Sequence, residues 1–184
     1  GRPLELAAEA AVVLGDVFAP LKVPFFVYGY STSDTLCPVD TKPYARWNSL
    51  WIKVYKEFSE SWSTGALKLT SARRSSMYNT LDGESVRFGA MQLLNRPESR
   101  KILIVINDGH PYPGSGHLGR CQDHLKNMVK SIEAAGVEIM AFGVQSQAVK
   151  EYYPNYVVIN KLQDLVKEPL EKIDQVLRKG LYRR

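Results

Sequence analysis

An aspartate stands at the end of the most apolar stretch of the sequence. The run KILIVI, at residues 101–106, leads into Asn107, Asp108 and Gly109. An unbroken apolar run is typical of a parallel strand that is covered on both faces, and functional groups collect beyond the carboxyl ends of such strands. A carboxylate there could bind a hard cation such as Mg²⁺, which prefers oxygen ligands. An aspartate that only turns the chain is the alternative, and position alone does not decide between the two.

A second group of oxygen-bearing side chains precedes a predicted helix. The stretch YNTLDGES contains Asn79, Thr80, Asp82 and Glu84. Asp82 is predicted to cap a helix over residues 83–94, and the helix dipole favours Glu84 in its first turn. Asn79 and Thr80 come too early in the chain to cap that helix. Asn79 and Thr80 are therefore candidates for binding a cation.

Histidine and cysteine form a weaker candidate site. His117, Cys121 and His124 have helical spacing and could share a face that holds zinc or copper. No carboxylate second shell is evident, however, and a buried structural cysteine is common. A nucleophilic Cys121 would need an oxyanion hole, of which the sequence shows no signature, and a Gly-x-Ser-x-Gly elbow and a P-loop are also absent. We therefore name no catalytic residue and expect a domain that is non-catalytic by itself.

The predicted elements alternate between helix and strand, which is typical of an α/β fold with a doubly wound, mostly parallel sheet. Periodicity and end signals predict helices at residues 4–18, 83–94, 118–135, 147–153 and 164–177. Apolar, β-branched runs predict strands at residues 23–31, 101–106, 137–144 and 156–159. Residues 49–58 fit either a strand or a helix, and residues 32–48 are predicted as a polar loop.

Composition limits the remaining possibilities. The chain has 184 residues, which fits a single domain over residues 1–184, and no apolar run approaches the roughly 20 residues of a membrane span. Its two cysteines lie far apart, so we expect a reducing, cytoplasmic setting. Much of the net charge of +5 lies near a basic tail at residues 179–184. Because no basic face interleaved with aromatics is evident, binding of nucleic acid is disfavoured.

The sequence resembles a known family over nearly its whole length. The block NTLDGESVRFGAMQLLNRPESRKILIVINDGHP, at residues 79–111, resembles the von Willebrand factor A-type (vWA) domain at the C-terminus of the cobaltochelatase CobT subunit. That family has a DGEA helix, then R-P-E-x-R-[KR]-I-L, a strand and SDGAP. The opening GRP, the stretch VPFFVYGYSTS and the paired tyrosines Tyr152 and Tyr153 are also similar to it. The resemblance implies a vWA fold.

The resemblance also implies a metal-ion-dependent adhesion site (MIDAS) for Mg²⁺ or another divalent cation. Asp108 matches the acid after the fourth strand of the family. Thr80 matches the middle ligand by its distance from Gly83, and Asn79 is the competing choice. Asn107 stands where the family has Ser.

The family's Asp-x-Ser-x-Ser loop is missing from these residues. In the family that loop ends shortly before GRP, and this sequence begins with GRP at Gly1. The first strand of such a sheet is central, and without it the two flanking strands would each face an empty position with unpaired backbone groups. We therefore expect that the first strand and its loop lie upstream of Gly1, or that another segment fills the position. Direct pairing of the strands at residues 25–30 and 102–106 would contradict this expectation.

The implied function is that of a metal-dependent protein–protein interaction domain. It would serve as a subunit or adaptor of an AAA+ ATPase-driven, cobaltochelatase-type complex, in which a partner's acidic residue completes the metal shell. The alternative is a stand-alone or phage-encoded vWA module that serves assembly and has no chelatase role. The altered loop after Asp108 and the unfamiliar residues 32–51 favour some divergence from the family.

Overall fold

The computed structural model describes residues 2–41, 44–72, 78–114, 118–161, 164 and 171. Its helices are α1 (Arg2–Phe18), α2 (Trp62–Ala72), α3 (Asp82–Leu94) and α4 (Leu118–Ala134), with a short 3₁₀ helix at Ala148–Glu151. Its strands are β1 (Val27–Thr41), β2 (Tyr44–Lys56), β3 (Lys101–Asn107), β4 (Val137–Val144) and β5 (Tyr156–Ile159). The α/β class is confirmed. Most of the helix predicted at residues 164–177, and the basic tail, lie outside the described residues.

Strands β3, β4 and β5 form a parallel sheet in that order. One face of β3 presents Ile102, Ile104 and Ile106 to the cluster in which α1 packs. The opposite face presents Leu103 and Val105 to the cluster formed with α3 and α4. Helices therefore cover both faces of this sheet, which explains why its strands are apolar without alternation. Asp108 follows the last residue of β3, at the carboxyl edge of this sheet.

Strands β1 and β2 form a separate antiparallel hairpin. The loop predicted at residues 32–48 is wrong, because most of these residues continue the two strands. Threonine, valine, tyrosine and tryptophan in this stretch favour strand, and proline is tolerated at irregular edge positions. The pairing accommodates them with register shifts between Thr32 and Leu36 and between Leu36 and Val39. The ambiguous residues 49–56 are strand, and β1 begins only at Val27.

Helix α2 is an addition to the predicted elements, and it fixes the hairpin against α1. The indole Nε1 of Trp62 donates to Oδ1 of Asp16 in α1 at 2.7 Å. Gly15 lies directly beneath this indole, where a Cβ would come within 2.2 Å of a ring carbon. No helix among the described residues is long and apolar enough to cross a membrane.

A large cavity separates β1 from β3. Its volume is about 1240 Å³, and α1, residues 23–31, α3 and β3 line it; we call it the central cavity. The described parts of β1 and β3 belong to different sheets and do not pair with each other. Direct pairing would have contradicted the expectation of an intervening strand. The intervening strand itself, and with it the doubly wound strand order, stays a prediction.

Candidate functional site

Backbone and hydroxyl groups join Ser31 and Thr32, within β1, to the segment that precedes α3. The backbone N–H of Tyr78 donates to the Oγ of Ser31 at 2.9 Å, and that of Asn79 donates to the Oγ1 of Thr32 at 3.1 Å. The N–H of Thr32 donates in return to the carbonyl of Asn79 at 3.0 Å. Both hydroxyl residues are buried. These bonds fix the backbone at Asn79, one of the predicted ligands.

The segment before α3 is joined in turn to the loop after β3. Thr80 and Tyr112 form an antiparallel bridge with N–H to carbonyl distances of 2.9 and 3.0 Å. The N–H of Tyr112 also lies 3.2 Å from the Oγ1 of Thr80, which accepts from it. The loop that carries Asp108 is therefore held beside Thr80, and both residues line the same end of the central cavity.

Asp82 lies at the centre of this region and is fully buried. Its Oδ1 accepts a hydrogen bond from the Tyr30 hydroxyl at 2.6 Å and another from the Nδ2 of Asn107. The prediction that Asp82 caps α3 is wrong: the N-cap residue is Leu81, and no side chain caps the helix there. The carboxylate is turned inward to β1 and β3, which accounts for the difference.

The electrostatics of this buried group depend mainly on the loss of water. Burial raises the pKa of Asp82, and the charge of Asp108 adds to that rise, whereas the Tyr30 and Thr80 side chains oppose it. Burial, followed by the charge of Asp82, raises the pKa of Tyr30. The Oδ2 of Asp82 and the hydroxyl of Tyr153 are both buried without a hydrogen-bond partner in the described structure. Asp82 is thus a buried carboxyl group whose Oδ1 is engaged and whose Oδ2 accepts no hydrogen bond in the described structure.

Asp108 itself is exposed at the carboxyl end of β3. Its two neighbours in the chain are bonded to each other: the backbone N–H of Gly109 donates to the Oδ1 of Asn107 at 2.7 Å. The side chain of Asn107 therefore closes a short turn around Asp108. Such a turn presents the carboxylate outward, where it can act as a ligand.

The oxygen donors here suit a hard cation. Asp108 and Thr80 share one end of the cavity, and the available oxygen of Asp82 is an unused acceptor close to them. Mg²⁺ commonly takes one or two carboxylates and keeps several waters, so a small oxygen set fits its chemistry. No group of three or more His, Cys, Asp or Glu residues in the described ranges could hold a metal. The residues present thus fit part of a Mg²⁺ shell.

The histidine and cysteine candidate is not assembled in the described structure. Cys121 is fully buried in the core beside Leu81, and His117 lies outside the described residues. His110 belongs to a different contact: its Nδ1 lies 2.6 Å from the hydroxyl of Tyr152. Among the described residues, no group of three or more His, Cys, Asp or Glu that could hold a transition metal includes Cys121.

The glycine-rich stretch GSGHLG, at residues 114–119, has the Gly-x-Gly-x-x-Gly spacing of dinucleotide-binding loops. In such a loop the first glycine follows directly on a strand. Here β3 ends at Asn107, so residues 108–113 intervene, and residues 115–117 lie outside the described structure. We assign no nucleotide site to this stretch.

Sequence reasoning missed the buried network of Asp82, Tyr30 and Asn107. Local capping explained Asp82 fully, and a tyrosine in an aromatic strand carries no signal of its own. The one available signal was Asn107, which differs from the serine of the resembled family and lies next to Asp108.

A comparison with protein families identifies the family to which the chain belongs. The model of the VWA domain of cobalamin biosynthesis protein CobT matches residues 1–179. The chain belongs to this CobT VWA family. The family membership implies a context of cobalamin biosynthesis. No solved structure matches the chain.

Proposed function

We propose that this CobT-type VWA domain is a metal-dependent protein–protein interaction domain in an AAA+ ATPase-driven chelatase complex that inserts cobalt into a tetrapyrrole. The observation that carries the proposal is the exposed Asp108, held beside Thr80 by the bridge between Thr80 and Tyr112. Membership of the CobT VWA family supports the chelatase context. The domain is a subunit or adaptor and performs no chemistry by itself.

Asp108 and Thr80 would hold Mg²⁺ from the protein side. The cation supplies positive charge and exchangeable water positions, which an acidic side chain of a partner can occupy. Asn79 stays the competing ligand, although its backbone is already bonded to Thr32. The exposure of Asp108 leaves room for a partner on the solvent side.

An extended strand in the central cavity is the second part of the proposal. The contacts that β1 and β3 make with α3 indicate the direction that such a strand would take. Near Gly89, helix α3 meets Tyr28 of β1 and Leu103 of β3, and at Asp82 it meets Tyr30 and Asn107. Both strands therefore advance in the same direction along α3. A strand placed between them can pair in parallel with both, as in other sheets whose faces are covered by helices.

The walls of the cavity define what such a strand would be. Apolar residues of α1 cover one side, among them Leu4, Ala7 and Leu14, and the side of α3 includes Val86 and Gly89. A strand of about seven residues with apolar side chains on both faces would match the length of β3. Its carboxyl end would lie next to Thr80 and Asp108. The resemblance implies that this strand precedes α1 and carries the remaining cation ligands.

Affinity capture tests the docking proposal. The full-length protein should retain the AAA+ ATPase subunit of a chelatase complex in Mg²⁺ and release it in EDTA. Asp108→Ala should weaken retention by at least about tenfold, as expected for the loss of a charge-assisted contact that becomes buried on docking. Asp123→Ala, at an exposed position of α4, is the matched control and should bind as the wild type does.

Capture that EDTA does not change would contradict metal-dependent docking. Metal-dependent capture of other proteins, with no affinity for an AAA+ ATPase, would favour the stand-alone assembly module instead. The two outcomes separate the metal site from the chelatase context.

A further inference from the structure

The buried carboxylate of Asp82 joins three elements at one point. It begins α3, accepts the hydroxyl of Tyr30 from β1 and accepts the Nδ2 of Asn107 from β3. The Nδ2 of Asn107 also lies 3.4 Å from the Tyr30 hydroxyl. These three side chains thus form one connected network between the first residues of β1, the start of α3 and the carboxyl end of β3.

The amide of Asn107 acts in two directions. Its Nδ2 is oriented by Asp82, and that orientation turns Oδ1 toward the backbone N–H of Gly109, which donates to it at 2.7 Å. Because an amide cannot rotate one atom without the other, Asp82 determines how Asn107 holds the turn. Asp108 is the single residue inside this turn.

We propose that Asp82 and Asn107 are a positioning pair that sets the direction of the Asp108 carboxylate toward the cation. This inference rests on the proposed metal function and assigns Asp82 and Asn107 a role distinct from the ligand roles proposed for Asp108 and Thr80. A carboxylate without full solvation is costly to bury, and in this structure its bonds serve no helix cap. They serve the orientation of Asn107 and Tyr30.

A reciprocal exchange of the two residues tests the pair. In the double variant Asp82→Asn/Asn107→Asp, the amide and the carboxylate change places, so the contact between them and the acceptor for Gly109 can both be rebuilt. The net charge equals that of the wild type. Asp82→Asn keeps an acceptor oxygen but removes the charge that strengthens its bond to Asn107, whereas Asn107→Asp places two carboxylates together and breaks the pair.

Mn²⁺ serves as the probe, because its electron paramagnetic resonance signal reports bound and unbound metal directly. In the full-length protein we expect each single variant to bind Mn²⁺ about 10- to 100-fold more weakly, which is the usual effect of losing an outer-shell partner. The double variant should recover most of that loss. Asp123→Asn, at an exposed site, should leave the affinity unchanged. Thermal unfolding of each variant is measured alongside.

The outcomes distinguish the two proposals. A wild-type protein that binds no Mn²⁺ would contradict the metal site itself. If the wild type binds and both folded single variants bind equally well, the positioning pair is overturned while the metal site stands. A double variant that regains thermal stability but not affinity would also overturn it, since the pair would then be only structural. If the single variants fail to fold, the affinity of the double variant decides by itself.

Discussion

Two ionisable side chains near the start of α3, Asp82 and His124, lie in environments that disfavour their charged forms. Asp82 is fully buried, and burial raises its pKa. His124, from α4, packs against the same turn, since a Cβ on Gly83 would lie 2.4 Å from its Nδ1. Burial is the main cause that lowers the pKa of His124, with Arg87 acting in the same sense and Glu84 against it. The stability of this region should therefore depend on pH.

For His124 the sign follows from which form the fold prefers. The folded protein favours the neutral imidazole, so the unfolded chain binds the proton more readily. This contribution to stability is present above the ordinary pKa of 6.5 and is lost as the pH falls below it. We expect the free energy of unfolding in urea to fall between pH 7.5 and pH 5.5, and to fall less in His124→Gln. An equal loss in both proteins would contradict this account of His124.

At the residue scale the sequence indicated the candidate ligands better than the side chains that surround them. Asp108 became a candidate because functional groups collect beyond the carboxyl ends of buried strands, and the resemblance, not its position alone, favoured a ligand over a turn-forming residue. Thr80 and Asn79 became candidates because capping did not explain them. The support from Asp82 could not be predicted, since a capping role accounted for the same residue at the same position. Only the folded chain shows that its carboxylate faces β1 and β3.

Helix α3 is the element that holds the two strands at their present separation. Gly89 allows the close approach: a Cβ there would lie 2.5 Å from the Tyr28 hydroxyl and 2.8 Å from a methyl carbon of Leu103. The hydroxyl of Tyr28 also donates to the carbonyl of Ser85 at 2.7 Å. The position of α3 thus depends on the lack of a side chain at Gly89.

Gly89→Ala should destabilise the protein despite the better helix propensity of alanine. Overpacking of a close contact costs about 1–3 kcal/mol, which exceeds the gain of up to about 1 kcal/mol from propensity. Gly119→Ala in α4 is the control, because a Cβ there meets no atom within 4 Å. It should leave stability unchanged or raise it slightly. Urea unfolding of both variants is the measurement, and equal effects of the two substitutions would refute the role given to Gly89.

At the element scale, apolar runs predicted the parallel strands and amphipathic runs predicted α1, α3 and α4. Continuous burial on both faces leaves a strong signal, and Gly136, with φ of +87°, ends α4 as the sequence indicated. The hairpin was missed because polar residues and prolines between 32 and 48 are typical of loops as well as edge strands. Helix α2 was missed because its stretch, WSTGALKLTSA, is short and mixed in character.

The central cavity is the main feature of the whole molecule. It separates the hairpin from the parallel sheet, and α1 and α3 cover it from two sides. A strand inserted there would join the two sheets, and its end would lie at the Asp108 and Thr80 site. The resemblance implies such a strand, whereas composition and periodicity alone do not indicate it, because they carry no information about strand order.

Hydrogen exchange of the full-length protein tests whether a strand occupies the cavity. Alternate amides of a parallel strand face opposite neighbours, so β3 should be protected at every interior residue if both edges are paired. Strand β4, which pairs with β3 on one side and β5 on the other, gives the reference for two-sided protection. Rapid exchange at every second residue of β3 would show an open edge and contradict the proposed strand.

The site of cation binding is the claim on which the docking function depends. Diffraction from crystals of the full-length protein grown with Mn²⁺ locates the cation directly through its anomalous signal. We predict one peak at the carboxyl end of β3, with Asp108, or a water bound to it, as a ligand at about 2.0–2.5 Å and with Thr80 beside it. Saturating Mn²⁺ that gives no peak at Asp108, or a peak only elsewhere on the protein, would contradict the account.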